Sequence, residues 1–307
     1  MKVVFFGNPE FASSSLTYLN NINDIRIELV VTNPDKKSGR GLKKTMTPVK
    51  EKALSLSYKI LECDNLKSDD FYQSLLKVNA DLFIVVAYRF LPKKIFTLPK
   101  IGTINLHASL LPKYKGASPI QYALINGDSK TGLTTFYINE FIDCGKIITQ
   151  EEVVIDDRID FISLYKKLSI LSEKILYDTI KIIKNNLPVK QILNELDKEI
   201  FAPKISKKDF IINWDDKSSN IHNKIRALSY SGAYSSIKGK RVKFFDTYYN
   251  CKKTNNEKNG SFFLKDNLLH VRCSDGHLIS KFIQVQGAKK IKANDFLNSN
   301  LKSNYFE

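Results

Sequence analysis

The stretch Gly102-Thr103-Ile104-Asn105-Leu106-His107-Ala108-Ser109-Leu110-Leu111-Pro112 decides the fold. It opens as a short apolar run of strand length. Two polar side chains, Asn105 and His107, stand two residues apart where that run ends, so they project from the same face of the strand. Upstream, residues 81–87 form a continuous apolar run that has no polar face. Residues 2–6 and 25–31 repeat the pattern, and a brief strand is expected near Ile60. Between these runs the apolar spacing turns helical, at residues 9–20 (Phe11, Leu16, Leu19), 49–56 and 68–77. Downstream, 120–125 reads as a short helix, 133–138 and 146–154 as strands, and 161–184 as a long helix. Strands without a polar face, alternating with helices, predict an α/β fold with a mostly parallel sheet covered on both sides.

Past residue 189 the pattern weakens, and 190–206 is expected to be a linker between a domain at 1–189 and another at 207–307. The second segment offers a helix at 219–228. Five short strands follow, at 234–237, 241–245, 261–264, 268–272 and 278–285, separated by turn signals such as Lys238-Gly239 and Asp275-Gly276. That density of short strands predicts a small antiparallel barrel of the OB type.

A length of 307 residues suits two domains. A hydrophobic fraction of 43% with 26% charged residues excludes extended disorder. No apolar run is long enough to span a membrane. The N-terminus opens directly on a strand pattern, which does not read as a secretory signal. Four widely spaced cysteines without a CxxC pair, and four histidines, argue against a disulfide framework and a zinc site. A cytoplasmic protein is expected. The net charge of +16 is uneven: residues 207–307 hold 19 Lys and Arg against 9 Asp and Glu. A polyanionic partner of the C-terminal domain accounts for this, and so does a composition rich in lysine throughout.

The first strand-to-helix turn, Gly7-Asn8-Pro9-Glu10-Phe11-Ala12, lacks the second and third glycines of a dinucleotide fingerprint. Pro9 also removes an amide donor, so dinucleotide binding is not expected there. Asn105 and His107 lie at the carboxyl end of a strand, where open α/β sheets bind ligands. An amide and an imidazole on one face can both donate to a carbonyl oxygen. Taken alone, N-x-H equally fits a histidine satisfied by local hydrogen bonds. The turn Asp143-Cys144-Gly145 adds a carboxylate that can orient the imidazole and favour its charged form. The loop 33–48 puts Lys36, Lys37, Arg40, Lys43 and Lys44 beside Gly39 and Gly41. It reads either as a mobile arm ordered by phosphates or as a solvated loop. Lys238, Lys240, Arg241 and Lys243 flank a turn, and Lys289, Lys290 and Lys292 form a second cluster. Both suit phosphate contacts, and both suit an ordinary surface.

The run Asn105-Leu106-His107-Ala108-Ser109-Leu110-Leu111-Pro112-Lys113-Tyr114-Lys115-Gly116-Ala117-Ser118-Pro119-Ile120, followed by Asp143-x-Gly145, resembles the signature of the folate-dependent formyltransferases. The likeness extends along nearly the whole chain. It includes Asn8-Pro9-Glu10-Phe11-Ala12, the basic loop from Pro34 to Lys44 with Pro48-Val49-Lys50 after it, Phe201 to Ser206, Ile225-Arg226-Ala227-Leu228 and Gly239-Lys240-Arg241-Val242-Lys243. The loop and the C-terminal matches are similar to the tRNA-specific branch. The resemblance implies a Rossmann-like formyltransferase domain followed by an OB-like β-barrel domain. It implies 10-formyltetrahydrofolate as donor, the α-amine of methionine on initiator tRNA as acceptor, and a role in translation initiation. Asn105, His107 and Asp143 match its catalytic positions, and Ser109, Leu110, Leu111 and Pro112 its folate-binding segment. Arg40 matches a contact to the acceptor stem, with Lys36, Lys37, Lys43, Lys44, Lys240, Arg241 and Lys243 as further tRNA-binding candidates. No metal and no membrane are implied, and a monomer is expected. The alternative acceptor is a sugar nucleotide, which would need neither the basic loop nor the basic C-terminal domain. The chain departs from the family at Tyr88-Arg89-Phe90-Leu91-Pro92, beside the pterin pocket, at Phe141, and at Ser229-Tyr230-Ser231-Gly232-Ala233.

Overall fold

A computed structural model describes residues 1–38, 43–188, 200–252, 258–296 and 305–307, with backbone alone at Lys37, Ser38 and Lys43. The chain divides into two compact units. One comprises Met1–Gly116, Thr131–Val153 and Tyr165–Phe201, and the other Ala117–Lys130, Val154–Leu164 and Ala202–Glu307.

The first unit is built on a seven-stranded sheet. Its order is Ile147–Val154, Lys130–Tyr137, Gly102–His107, Leu82–Val86, Lys2–Gly7, Arg26–Thr32, Ile60–Glu62. The five strands from Gly102–His107 to Ile60–Glu62 are parallel, and Lys130–Tyr137 runs antiparallel to Gly102–His107. The chain starts in the middle of the sheet, builds towards Ile60–Glu62, then returns to build the other side. That reversal creates a crevice at the strands' carboxyl ends. Leu82–Val86 is buried at all five positions, which explains its continuous apolar run. One face packs Val4, Phe6, Phe83 and Val85 against Phe71 and Leu75 of the helix Asp69–Val78. The helix Phe161–Lys184 carries polar contacts to its neighbours, Thr179 with Thr135 at 2.7 Å and Ser172 with Ser15 at 3.3 Å. Gly7 serves packing: a Cβ there would come within 2.6 Å of the Ala12 Cβ. The side chain of Asn8 ties this turn to the next strand, its Oδ1 accepting from the Asn33 amide at 2.9 Å and from the Thr32 hydroxyl at 3.1 Å.

The described ends of the basic loop pair with each other. Lys36–Ser38 and Lys43–Thr45 form an antiparallel ladder. Its base is fixed by Lys50, whose ammonium bonds Asp35 at 2.7 Å and Glu62 at 2.8 Å. Arg40, Gly39 and Gly41 lie outside the described residues, as do residues 190–199 of the expected linker. Within the remainder of that linker, Ile200–Ala202 is a short strand.

The second unit carries a six-stranded antiparallel sheet. Its path is Tyr234–Ile237, Lys240–Asn250, His277–Val285, Leu268–Arg272, Phe262–Lys265, with Ile291–Lys292 also paired to His277–Val285. This is the small OB-like β domain that the short strands predict. Lys240–Asn250 runs five residues beyond the expected 241–245 because Asp246, at φ 48°, interrupts an alternation that resumes through the β-forming Thr247, Tyr248 and Tyr249. Trp214, Phe244, Phe262 and Phe306 form its aromatic core, with ring centroids 4.7–5.8 Å apart. The helices Pro119–Ile125 and Ser218–Ala227 pack together here. Arg226 also bonds the backbone at Asp156 and Ile159, so both earlier segments fold with the C-terminal residues.

Candidate active site

Asn105 and His107 occupy the carboxyl end of Gly102–His107, between Leu82–Val86 on one side and Lys130–Tyr137 on the other. His107 is buried at 6% exposure. Its Nε2 lies 2.8 Å from the Tyr114 carbonyl oxygen. A carbonyl only accepts, so Nε2 carries a proton and Nδ1 is the nitrogen left to gain or lose one. Nδ1 faces the Asp143 carboxylate, 3.7 Å from Oδ2. That separation is too long for a direct hydrogen bond and suits an ion pair once Nδ1 is protonated.

Asp143 is held independently of His107. Its Oδ2 accepts the Gly116 amide at 2.7 Å. Its backbone sits at φ 51°, in the left-handed region that Asp tolerates better than most residues. The turn is clamped from the other end: a Cβ on Gly145 would collide with the Tyr137 carbonyl oxygen. Asn139 Nδ2 donates to the Cys144 carbonyl at 3.1 Å, and the Lys115 ammonium, on a side chain with 1% exposure, reaches Cys144 Sγ at 3.0 Å. The carboxylate is thus positioned by two backbone loops before any ligand enters.

Asn105 differs from both. It is half-buried, and its side-chain amide makes no hydrogen bond among the described residues. It lies two residues from His107 on the same face of the strand, with its donor uncommitted.

The predicted folate segment splits into two kinds of residue. Ser109 and Leu111 are buried and serve the loop itself. Ser109 Oγ donates to the Lys113 carbonyl at 2.6 Å, and the Leu111 amide donates to Thr134 Oγ1 at 3.1 Å. Thr134 donates onward to the Ser109 carbonyl at 2.6 Å, and Gln150 Nε2 donates to the Leu111 carbonyl at 3.0 Å. Leu110 and Pro112 are half-buried, so these two retain surface for a ligand. Thr134 and Gln150 escaped the sequence reading because each looks like one more residue of an alternating strand.

Two of the family departures flank this region. The Arg89 guanidinium turns to the carbonyl of Asp64 at 2.7 Å, to the carbonyl of Cys63, and to the Tyr88 hydroxyl at 3.0 Å. It staples its own loop to the one after Ile60–Glu62. Phe90, Phe141 and Ile142 are exposed. Their segments are linked by an ion pair of Lys93 with Glu140 and by Ile138 packing in the cluster that holds Tyr88 and Leu91.

Of the nucleic-acid candidates in this unit, Lys36 and Lys44 are exposed on the ladder, and Arg40 and the side chains of Lys37 and Lys43 are outside the described residues. In the other unit, Lys240 and Arg241 are exposed at the turn after Tyr234–Ile237, and Lys243 is half-buried. Arg241 stacks over the Tyr234 ring at 5.3 Å. Among the described residues no group of three or more His, Cys, Asp or Glu is placed to hold a metal ion, and no helix is long and apolar enough to cross a membrane.

The sheet and the C-terminal β domain have counterparts among known proteins. The formyl transferase family model matches residues 1–180, and the formyl transferase C-terminal domain model matches 204–301. The chain belongs to the formyl transferase family. Its relatives over nearly the full length are methionyl-tRNA formyltransferases. That of Caldicellulosiruptor saccharolyticus is 40% identical over 97% of this chain and 96% of its own length. That of Thermodesulfovibrio yellowstonii is 39% identical, covering 96% and 95%. Among solved structures, the sugar 3N-formyl transferase WlaRD superposes with a TM-score of 0.66 at 22% identity, covering 94% of this chain and 99% of that one. The N-formyltransferase of Helicobacter canadensis gives 0.66 at 20% identity, covering 95% and 100%. At these identities the structural likeness is one of fold.

Proposed function

We propose that this chain transfers the formyl group of 10-formyltetrahydrofolate to the α-amine of methionine esterified to initiator tRNA. It acts in the cytoplasm, as a monomer, to prepare the initiator for translation. The observation that carries this reading is the uncommitted Asn105 amide on the strand face it shares with His107, with the Asp143 carboxylate facing the imidazole. The folate supplies the formyl carbon; the residues supply charge stabilisation, proton handling and position. Asn105 donates to the formyl oxygen as negative charge builds on it during attack by the unprotonated amine. The His107 ring, held by the Tyr114 carbonyl at Nε2 and faced by Asp143 at Nδ1, stabilises the same charge whenever both nitrogens carry protons. Asp143 helps carry the proton from the attacking amine towards the leaving nitrogen. Leu110 and Pro112 offer contact surface to the folate, and the exposed rings of Phe90 and Phe141 offer apolar area that a flat heterocycle can cover. Holding donor and amine side by side supplies much of the acceleration.

Residues 1–189, apart from 117–130 and 154–164, serve as the catalytic domain, and 207–307 with those two segments as the tRNA-binding domain, joined through 190–206. Lys36, Lys44 and Arg40 of the loop, and Lys240, Arg241 and Lys243 of the β domain, meet phosphates and position the tRNA without reading its sequence. A sugar-nucleotide acceptor leaves this charge without a partner. The test is formyl transfer from 10-formyltetrahydrofolate to methionyl initiator tRNA, with elongator methionyl-tRNA in parallel, read by mass spectrometry of the released amino acid. Formylmethionine from the initiator alone is the expected result. No product from a sample that binds folate would reassign the acceptor to an amino sugar.

A further inference from the structure

A cavity of about 900 Å³ lies wholly within the second unit, and no residue of the catalytic set or the folate-binding segment lines it. Its most buried cation is Arg226, 6% exposed. The Arg226 Nε donates to Asn223 Oδ1 at 2.9 Å, and Nη1 donates to the carbonyls of Asp156 at 3.0 Å and Ile159 at 3.3 Å. All three acceptors are neutral. Nη2 has no acceptor, and no carboxylate lies within ion-pair distance, among the described residues. The Asp157 and Asp156 carboxylates act on it only from beyond ion-pair distance, and a buried guanidinium without a direct ionic partner is costly to keep. Ser229 Oγ, also in the lining, is buried without a partner.

The rest of the lining carries the same sign. Arg158, Lys281 and Lys290 stand with Arg226 against two carboxylates, Asp160 and Asp246. Both carboxylates are engaged: Asp246 pairs with Lys281 at 3.3 Å, and Asp160 Oδ1 accepts the Ser163 amide at 2.9 Å. Arg158 and Lys290 are exposed and make no ion pair among the described residues. The Lys290 ammonium rests instead over the rings of Phe245 at 4.6 Å and Phe282 at 4.9 Å. Tyr248, 39% exposed, adds an aromatic ring to the wall. The volume is near the top of the roughly 300–1,000 Å³ range of small-ligand sites, more than a lone phosphate fills.

We propose that this cavity receives one nucleotide of the RNA acceptor: its phosphate against Arg226, Arg158 and Lys290, and its base on Tyr248. The anion provides the direct ionic partner that Arg226 lacks among the described residues, and the ring supplies the stacking platform common in sites for unpaired bases. This deepens the RNA-acceptor reading above and rests on it.

The test is equilibrium binding of the full chain to unacylated initiator tRNA across a potassium chloride series. Arg158→Ala and Lys290→Ala alter exposed side chains, so the fold is retained, which melting curves verify. The double variant is expected to weaken binding about tenfold or more at low salt and to lower the slope of log affinity against log salt by about two. Tyr248→Ala is expected to weaken binding about fivefold or more at an unchanged slope. Lys265→Ala, which removes an exposed charge outside the cavity, stays within about twofold of the unaltered chain. Unchanged affinity and slope in the double variant, with tRNA bound normally by the unaltered chain, overturns the cavity assignment alone. Failure of the unaltered chain to bind the tRNA at all overturns both this assignment and the RNA-acceptor reading.

Discussion

His107 Nδ1 stands 3.7 Å from Asp143 Oδ2, and the same oxygen accepts the Gly116 amide at 2.7 Å. The carboxylate is therefore anchored to the backbone and faces the imidazole across a gap, and it is fixed in place whichever protonation state His107 adopts.

Asp143→Asn separates charge from position. The asparagine side-chain oxygen can still accept the Gly116 amide, so the turn keeps its shape while the negative charge is lost. In Asp143→Asn turnover is expected to fall by about 10²–10⁴-fold with unchanged melting temperature, and in Asp143→Ala by at least as much with a lowered melting temperature, because the Gly116 amide loses its acceptor. Steady-state kinetics on methionyl initiator tRNA is the check. Near-normal turnover in either variant removes Asp143 from the mechanism.

Asn105→Ala deletes a donor that makes no hydrogen bond within the described protein. Stability should hardly change, while kcat drops about 10²–10³-fold, the usual effect of losing one oxyanion donor. A large loss of stability with modest kinetic change would assign Asn105 a structural role instead.

Arg40→Ala is expected to raise the KM for tRNA and leave folate binding intact. By contrast, Lys50→Met removes the cation that joins Asp35 and Glu62 at the base of the ladder. The Asp35 hydrogen bond is the leading cause that holds the Lys50 ammonium above its ordinary value. Lys50→Met is expected to make the loop more sensitive to limited proteolysis. Equal loss of folate and tRNA use in Arg40→Ala would mark the loop as purely structural.

His222 links stability to pH. Its Nε2 lies 2.9 Å from the Asp157 carbonyl and its Nδ1 2.9 Å from the Thr247 hydroxyl, an arrangement that satisfies the neutral ring. Burial pushes its pKa below the ordinary 6.5. The unfolded chain thus binds a proton more readily, so this contribution is complete above pH 6.5 and is lost as pH falls through the lower folded value. Melting temperature should decline from pH 7 to pH 5, and His222→Gln should flatten that decline. An identical profile in the variant would place the effect on other groups.

The cysteines should differ sharply in reactivity. Burial pushes the Cys273 thiol up to about 12, whereas Cys251 is exposed. At pH 8, iodoacetamide should label Cys251 and spare Cys273 until the protein is denatured, as read by peptide mass spectrometry. Rapid native labelling of Cys273 would contradict its burial.

Much of this molecule was legible from local pattern. The bounds of Phe161–Lys184 follow from helical spacing, and Leu82–Val86 follows from an apolar run without a polar face. The pairing of Asn105 with His107 follows from strand geometry, and Asp143 from its place in a signature. Less legible were the residues that stabilise the site from a distance. Thr134 and Gln150 lock the loop after His107, yet in sequence they are ordinary members of strands. The ladder in the basic loop depends on Lys50 meeting Glu62 across 12 positions.

The sequence by itself determined the order and kind of the longer elements and the chemical types gathered at one strand end, because periodicity and short motifs are local properties. Only the tertiary structure decided which imidazole nitrogen faces the carboxylate, since that turns on the Tyr114 carbonyl arriving from a separate loop. It likewise decided that residues 117–130 and 154–164 fold with the C-terminal β domain, and that Arg226 is buried beside a cavity with no direct ion pair among the described residues. These depend on contacts between residues far apart in the chain, where packing and backbone hydrogen bonds set the geometry and no local pattern records the partner.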